Sequence, residues 1–540
     1  MPEYEGPKRR RRTQPGTSRV PEQPGVPRQD RQPGRGGAPL RPGKTAADFL
    51  AALRRCPALT LVALLAVCVP LIPAPVSNRH WHGLRTGSFE AGASLLLVLL
   101  LARFWTKDQR RSWAEALSTP PLRFLMAFFC WGCLSAALAP AKPFALQGLL
   151  QVGTGALVAV TVAAEVRARP QCEFLLNALT AATVLISLSG FALYGQGAGD
   201  LAVGLYHDHM LYGAVFTILL PLVLGNSLSS APGAYRLPAV AALLCGLLAL
   251  GLAETRSSWI GVAVAATVFG VLLIWTRASA ARASAARAYP RSGNKQWRQA
   301  VLPAIVFVGG LVYFLMVMSQ SGHIGARLQT LTTTEVQGKE SLIVWRFQAW
   351  RGARNMISQR PLLGLGIGGY PRYQYAFTGM GHDAPVIQEQ GPTILDEAHN
   401  SYLQTAAETG LPGLLLWLGV LVSMFIHGVP VLRRLTPGAP RQYALIGCLS
   451  ALAGQAVDAL ANPGWQFGEV SLFLWIVLGL TVALSLGEPA LTTKDSAELR
   501  TRPLLFVALQ AGKVVLALAV GAGLLWMILK TMAVLPAPTL

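Results

Sequence analysis

Charged residues are scarce in this 540-residue chain: Asp, Glu, Lys and Arg make up 13% of it, and the 25 acidic residues are outnumbered by 46 basic ones. Soluble domains carry about 25% charged residues, so an ordinary water-soluble enzyme is excluded. Cysteine is scarce too. The seven (Cys56, Cys68, Cys130, Cys133, Cys172, Cys245 and Cys448) each fall in or beside an apolar run, which excludes a disulfide framework for any long polar segment. Cys130 and Cys133 have C-x-x-C spacing, but FFCWGCLS is the middle of an apolar helix, and packing explains it better than redox chemistry. No H-x-x-x-H or similar spacing points to a metal site. No apolar stretch precedes Pro57, so the N-terminus reads neither as a cleaved signal peptide nor, at Arg9–Arg12, as a twin-arginine signal.

What the chain has in abundance is apolar runs of membrane-spanning length, such as SLLLVLLLARFW and WIGVAVAATVFGVLLIW. Thirteen spans are expected, at about 57–75, 89–104, 122–139, 144–164, 172–194, 209–225, 237–253, 257–275, 300–318, 411–430, 443–460, 468–486 and 504–529. The last is the least secure of them, because twelve would be the usual number for the family named below. The net charge of +21 would suggest nucleic acid in a soluble protein, but its distribution points to the membrane instead. With a cytoplasmic N-terminus, 33 Lys and Arg fall on inner segments and 12 on outer ones, as the positive-inside rule requires. Seven of those 12 belong to one long outer loop, 321–409, and long loops escape that rule.

The expected organisation is therefore a basic cytoplasmic tail (1–55), spans 1–9 (56–320), an outer loop (321–409), spans 10–13 (410–530) and a short tail (531–540). The first 45 residues hold nine Pro and eleven Lys or Arg without apolar periodicity, and cannot bury enough surface to order themselves. Anionic membrane lipids are their expected partner, not nucleic acid. The inner segment 276–299 is basic in the same way.

Three outer segments carry candidate chemistry: GLYHDHMLYG (Gly204–Gly213), ETRSSW (Glu254–Trp259) with Arg256 at a span end, and the long loop. In the loop, Ser341–Tyr370 begins as an amphipathic helix with Arg346 and Trp350 on one face. Pro361 ends it, and GLGIGGY makes a tight turn. Then comes DEAHNSYLQTAAETGLPGLLLWL. Asp396 is expected as the N-cap and His399 in the first turn, where the helix dipole disfavours imidazolium and leaves a neutral base. Gly410 and Pro412 break this helix before the next span. Taken as residues alone, His399 reads equally well as a helix-terminal surface histidine, Arg346 as a solvated face and Arg256 as a snorkelling rim residue. His382, Asp383, Asp396, Glu397 and His399 together are an alternative metal set.

The Arg346–Trp350 spacing followed by PLLGLGIGGY, the segment AHNSYLQTAAETGLPGLLLWL and the ETRSSW corner resemble the O-antigen ligase/polymerase superfamily, over roughly 250–430. The resemblance implies an all-α polytopic membrane fold of about 12–13 transmembrane helices with one large helical periplasmic loop, of the kind seen in lipid-dependent glycosyltransferases. It implies transfer of a glycan from a polyprenyl diphosphate, typically undecaprenyl diphosphate, at the periplasmic face of the inner membrane, with no cofactor and no metal. The acceptor is a lipid A-core sugar in ligases and the end of another lipid-linked glycan in polymerases. Carried over, the family's arginines fall on Arg256 and Arg346, which would bind the donor diphosphate, and its histidine on His399, the expected base. Asn400, Tyr402 and Asp396 are expected to make sugar or orienting contacts, and DEAHNSYLQTAAETG to act as an active-site lid. A phosphate-leaving group suits this set, because guanidinium groups pair bidentately with phosphate oxygens.

Two other classes stay open. A polysaccharide transporter would need charges inside spans, and only Asp458 and Lys513 qualify. A non-catalytic assembly protein would need no transfer chemistry at all. Within the enzyme class, ligase, polymerase and protein O-glycosyltransferase differ in acceptor, and acceptor recognition leaves no short motif.

Overall fold

The computed structural model describes residues 56–72, 90–96, 107–195, 205, 208–229, 236–285, 335–336, 339–340, 342–378, 397–462 and 464–486. All lie in one compact unit, Leu53–Leu540. The protein is an all-α polytopic membrane protein. Its described helices are α1 (Pro57–Cys68), α2 (Lys107–Ser118), α3 (Pro120–Ala137), α4 (Lys142–Glu165), α5 (Arg169–Gly195), α6 (His209–Ser229), α7 (Arg236–Leu252), α8 (Arg256–Ala285), α9 (Leu342–Gln359), α10 (Tyr370–Thr378), α11 (Ser401–Leu432), α12 (Pro440–Asp458) and α13 (Gly468–Leu486). One two-residue antiparallel pair, Glu335–Val336 with Lys339–Glu340, adds strand to the loop that sequence reads as helical.

Six of these helices are long and apolar enough to cross a membrane: α3, α4, α5, α6, α8 and α11. Pro57–Leu71, α7 and Val470–Leu486 are shorter apolar helices. The expected spans at 300–318 and 504–529, and the tail 1–55, lie outside the described residues, and 89–104 is described only in part.

α12 is the least apolar of the expected spans, and its position explains why. It packs most extensively against α6 and α8, burying Gln442, Gln455 and Asp458 away from lipid. Thr217 of α6 donates to Gln455 Oε1 at 2.7 Å. Small residues let the backbones close in, as membrane helix pairs require: a Cβ on Gly454 would sit 2.7 Å from the Gly261 carbonyl oxygen. On another side of the bundle Trp417 packs against Phe128, Trp465 and Trp475, with ring centroids 5.5, 6.2 and 5.8 Å away. All seven cysteines are free; Cys130 is exposed and Cys133 half-buried.

At one end of the bundle the helix ends meet. α6, α8, α11 and α13 begin where α7 and α12 end, as the alternating order of spans demands, and hydrogen bonds tie these ends together. Thr255 donates to the His209 carbonyl at 2.7 Å, and the Ser401 amide donates to the Ala459 carbonyl at 2.9 Å.

Candidate active site

Local chemistry explains each of the elements that gather at this end. Asp208 caps α6: its Oδ1 accepts from the Met210 and Leu211 amides at 2.6 and 3.3 Å. That gives Asp208 of the HDH run a structural task. Glu254 turns the chain with a φ of 49°, and Arg256, half-buried, opens α8. The next two residues bind α12. Ser258 donates to Asp458 Oδ1 at 2.9 Å, and Asn462 donates to the Ser257 hydroxyl at 2.8 Å and to Asp458 Oδ1 at 2.9 Å.

The loop helix α9 buries Ala349, Ala353 and Met356 against Leu365, Tyr370, Ala398 and Ala407. Arg346 lies on its half-buried side, where Nη2 meets Met210 Sδ at 3.5 Å. Burial lowers the Arg346 pKa and the negative charge of Asp458 raises it. The solvated-face reading of Arg346 is thereby excluded.

The glycine turn after α9 is docked on α11. Gly364, Gly366 and Gly368 all take positive φ. The Leu365 and Gly366 amides donate to the Ala407 and Glu408 carbonyls, each at 3.0 Å. The Glu408 carboxylate accepts from the Gly368 amide at 2.9 Å, the Tyr370 amide at 3.3 Å and Gln404 Nε2 at 3.2 Å. α11 bends at Gly410, where φ is 74° and ψ 175°. A Cβ there would lie 2.1 Å from the Leu362 carbonyl oxygen, so only glycine allows the turn to approach the bend.

The start of α11 differs from expectation. The N-cap is Asn400, whose side-chain oxygen accepts from the Tyr402 and Leu403 amides at 3.1 and 3.0 Å. Asp396 lies outside the described residues and His399 stands before the helix, with a φ of 47°. Because Asn400 takes the first-turn amides, the argument that the dipole holds His399 neutral loses its basis. Tyr402 donates its hydroxyl to the Ala456 carbonyl at 2.7 Å. The lid expectation also fails for the described part of this segment. Ser401 and Gln404–Gly410 are buried, and Trp465, Gln466 and Thr405 interlock with them through Gln466 Nε2 and Trp465 Nε1. The segment is an inner wall.

Asp458, Asn462 and Glu408 were missed as site residues. Sequence places Asp458 in a span as a transporter-type charge. It is instead the last residue of α12, fully buried, at the level of Ser258 and Ser401. Of the alternative metal set only Glu397 and His399 are described, and among the described residues no three His, Cys, Asp or Glu side chains group closely enough to hold a metal ion.

The Arg256 corner, the glycine turn and the kinked start of α11 thus place a cluster of polar residues at one end of a membrane helix bundle. Residues 241–418, from α7 into α11, match the family model Wzy_C, described as O-Antigen ligase. That match places this segment in the O-antigen ligase superfamily, a group of ligase- and polymerase-type enzymes that act on glycans and lipid-linked substrates. No curated protein matches the chain.

Proposed function

We propose that this protein transfers a glycan from undecaprenyl diphosphate, or a related polyprenyl diphosphate, to an acceptor hydroxyl at the periplasmic face of the inner membrane. The observation that carries the reading is the convergence of three segments on the end of α12. The Arg256 corner binds Asp458 and Asn462 through Ser258 and Ser257, Arg346 lies against Met210, next to the His209 carbonyl that binds Thr255 of that corner, and the residues after His399 bond to Ala456 and Ala459.

The chemistry follows from those residue types. The acceptor oxygen attacks the anomeric carbon of the donor sugar, forming the glycosidic bond as the bond to the diphosphate oxygen breaks. The acceptor proton passes to the His399 imidazole, and undecaprenyl diphosphate leaves as an anion. Arg256 and Arg346 offset the charge that builds on it, an effect typically worth about 10²–10³ in rate per donor. In this reading no metal and no cofactor takes part. The acceptor is a lipid A-core sugar for ligase action or the end of another lipid-linked glycan for polymerase action, in surface polysaccharide assembly. The loop 321–409 faces the periplasm and the N-terminus the cytoplasm.

The test is transfer in proteoliposomes holding the purified protein, a synthetic undecaprenyl-diphosphate glycan and either acceptor. Product with one acceptor identifies ligase or polymerase action. No product with either acceptor, from protein that still binds the donor, overturns the reading. Deleting the gene adds a cellular readout: uncapped lipid A-core beside long lipid-linked polymer marks a ligase, and single repeat units mark a polymerase.

A further inference from the structure

His399 is held in an uncommon backbone conformation. Its φ is 47°, and a non-glycine residue keeps a positive φ where the surrounding structure imposes it. On one side of His399, Asn400 caps α11 and the Ser401 amide donates to the Ala459 carbonyl. On the other side the buried Ala398 amide donates to Gln404 Oε1 at 3.2 Å. Gln404, itself buried in the first turn of α11, thus reaches back over the helix start to the residue before His399. A backbone amide needs an acceptor, which fixes the orientation of the Gln404 amide group.

The Gln404 nitrogen is used as well. Nε2 donates to Glu408 Oε1 at 3.2 Å, and Glu408 accepts from the Gly368 and Tyr370 amides at 2.9 and 3.3 Å. The Tyr370 hydroxyl in turn donates to the Ala349 carbonyl of α9 at 3.0 Å, three residues beyond Arg346. A run of hydrogen bonds therefore joins the turn of His399 to the helix of Arg346, and Gln404 is its middle link. Glutamine suits that place because one short side chain offers both an acceptor and a donor. An apolar residue there would strand the buried Ala398 amide.

We propose that Gln404 is the positioning residue for His399: bonded to Ala398 at one end and to Glu408 at the other, it holds the turn that carries the imidazole to the loop turn behind the Arg346 helix. This role rests on His399 being the base proposed above. Gln404 touches neither donor nor acceptor in it, so its loss slows the step that uses the base and leaves donor binding alone. A side chain that merely stabilised the bundle would lower both together, and would do so whether or not the histidine were present.

The test is a double-mutant cycle on the full-length protein in nanodiscs, reading the transfer kcat and the affinity for undecaprenyl diphosphate. Gln404→Met keeps the length of the side chain and removes both of its hydrogen bonds, while Glu408 retains its two backbone amides. It should lower kcat on the order of tenfold, a size usual within one hydrogen-bond network, with the affinity unchanged. In a His399→Gln background the same change should do nothing further. Should Gln404→Met fail to insert, Gln404→Asn, too short to hold both partners, carries the same cycle. A wild-type kcat in the position-404 variant overturns the proposal, as does an equal loss in both backgrounds or a loss of affinity as large as the loss in kcat. Normal transfer in His399→Gln alone overturns both this inference and the functional reading of the histidine. Impaired His399→Gln beside a normal position-404 variant removes the positioning role only.

Discussion

Replacing Glu408 with Ala should loosen the glycine turn from the bend of α11 and leave the membrane helices in place. The carboxylate, 1% exposed, accepts from two backbone amides at 2.9 and 3.3 Å and from Gln404 at 3.2 Å. Stranding a buried donor costs about 1–3 kcal/mol, and two amides are stranded here. Part of that is returned, because the variant no longer buries a carboxylate, which leaves a net local loss of about 2 kcal/mol. A change of that size raises the open fraction about 30-fold. Hydrogen–deuterium exchange in nanodiscs, followed on peptides covering 361–373, should show exchange faster by about that factor, with α6 and α12 unchanged. Glu408→Gln, which retains one acceptor oxygen, should fall between. Transfer should drop in the same order, since the turn holds the C-terminal end of the Arg346 helix. Exchange at the wild-type rate in Glu408→Ala would refute the reasoning: the turn would then be held by its bonds to the Ala407 and Glu408 carbonyls alone.

Arg346→Ala and Arg256→Ala should each lower transfer by about 10²–10³ with insertion intact, and Lys at either position should rescue only in part because it lacks the two-pronged geometry; radiolabelled glycan transfer reads both. His399→Gln should lower the chemical step by about 10²–10⁴ while donor binding persists. The wild-type rate should fall as acid protonates the base, and the variant should lack that fall; a variant with normal rates from about pH 5 to 8 leaves His399 structural. A cysteine placed at Gln337 should react with an impermeant maleimide added from the periplasmic side and one at Ser292 should not, and the reverse pattern would sink the orientation and the site with it.

Most of the bundle was legible because a membrane span must be apolar over its full length, and that signal survives in a single sequence. The spans at 144–164, 172–194 and 209–225 fall within helices three or four residues longer, and 257–275 within one that runs on to Ala285. α12 was legible as a helix but not as a buried one, and it is not among the six helices long and apolar enough to cross a membrane. Gln442, Gln455 and Asp458 interrupt its apolar run, and only the neighbours supplied by α6 and α8 explain why it tolerates them. The glycine turn was read correctly because glycine is the residue that occupies positive φ without strain. What it docks on was hidden, since its partner Glu408 lies 40 residues further along the chain. The helix start was misplaced by a local ambiguity. DEAHN offers two capping residues, Asp396 and Asn400, and the choice is made by tertiary bonds such as Ser401 N–H to the Ala459 carbonyl.

That one helix start also decides how the site works. A lid over the reacting groups would pay ordering entropy each time it closed, and its closure would limit turnover. The segment after His399 has no such freedom. Asn400 caps it, Tyr402 and Ser401 bind α12, Thr405 receives Trp465, and Glu408 binds the loop turn. Beyond the cap these bonds run to α12, to Trp465 and to the glycine turn, so moving the segment relative to Asp458 would break several of them at once. In the proposed mechanism, donor and acceptor therefore come to a base whose following segment is already held in place. In that mechanism the segment is a preorganised wall, held by the bonds that Tyr402 makes to α12 and Glu408 to the glycine turn.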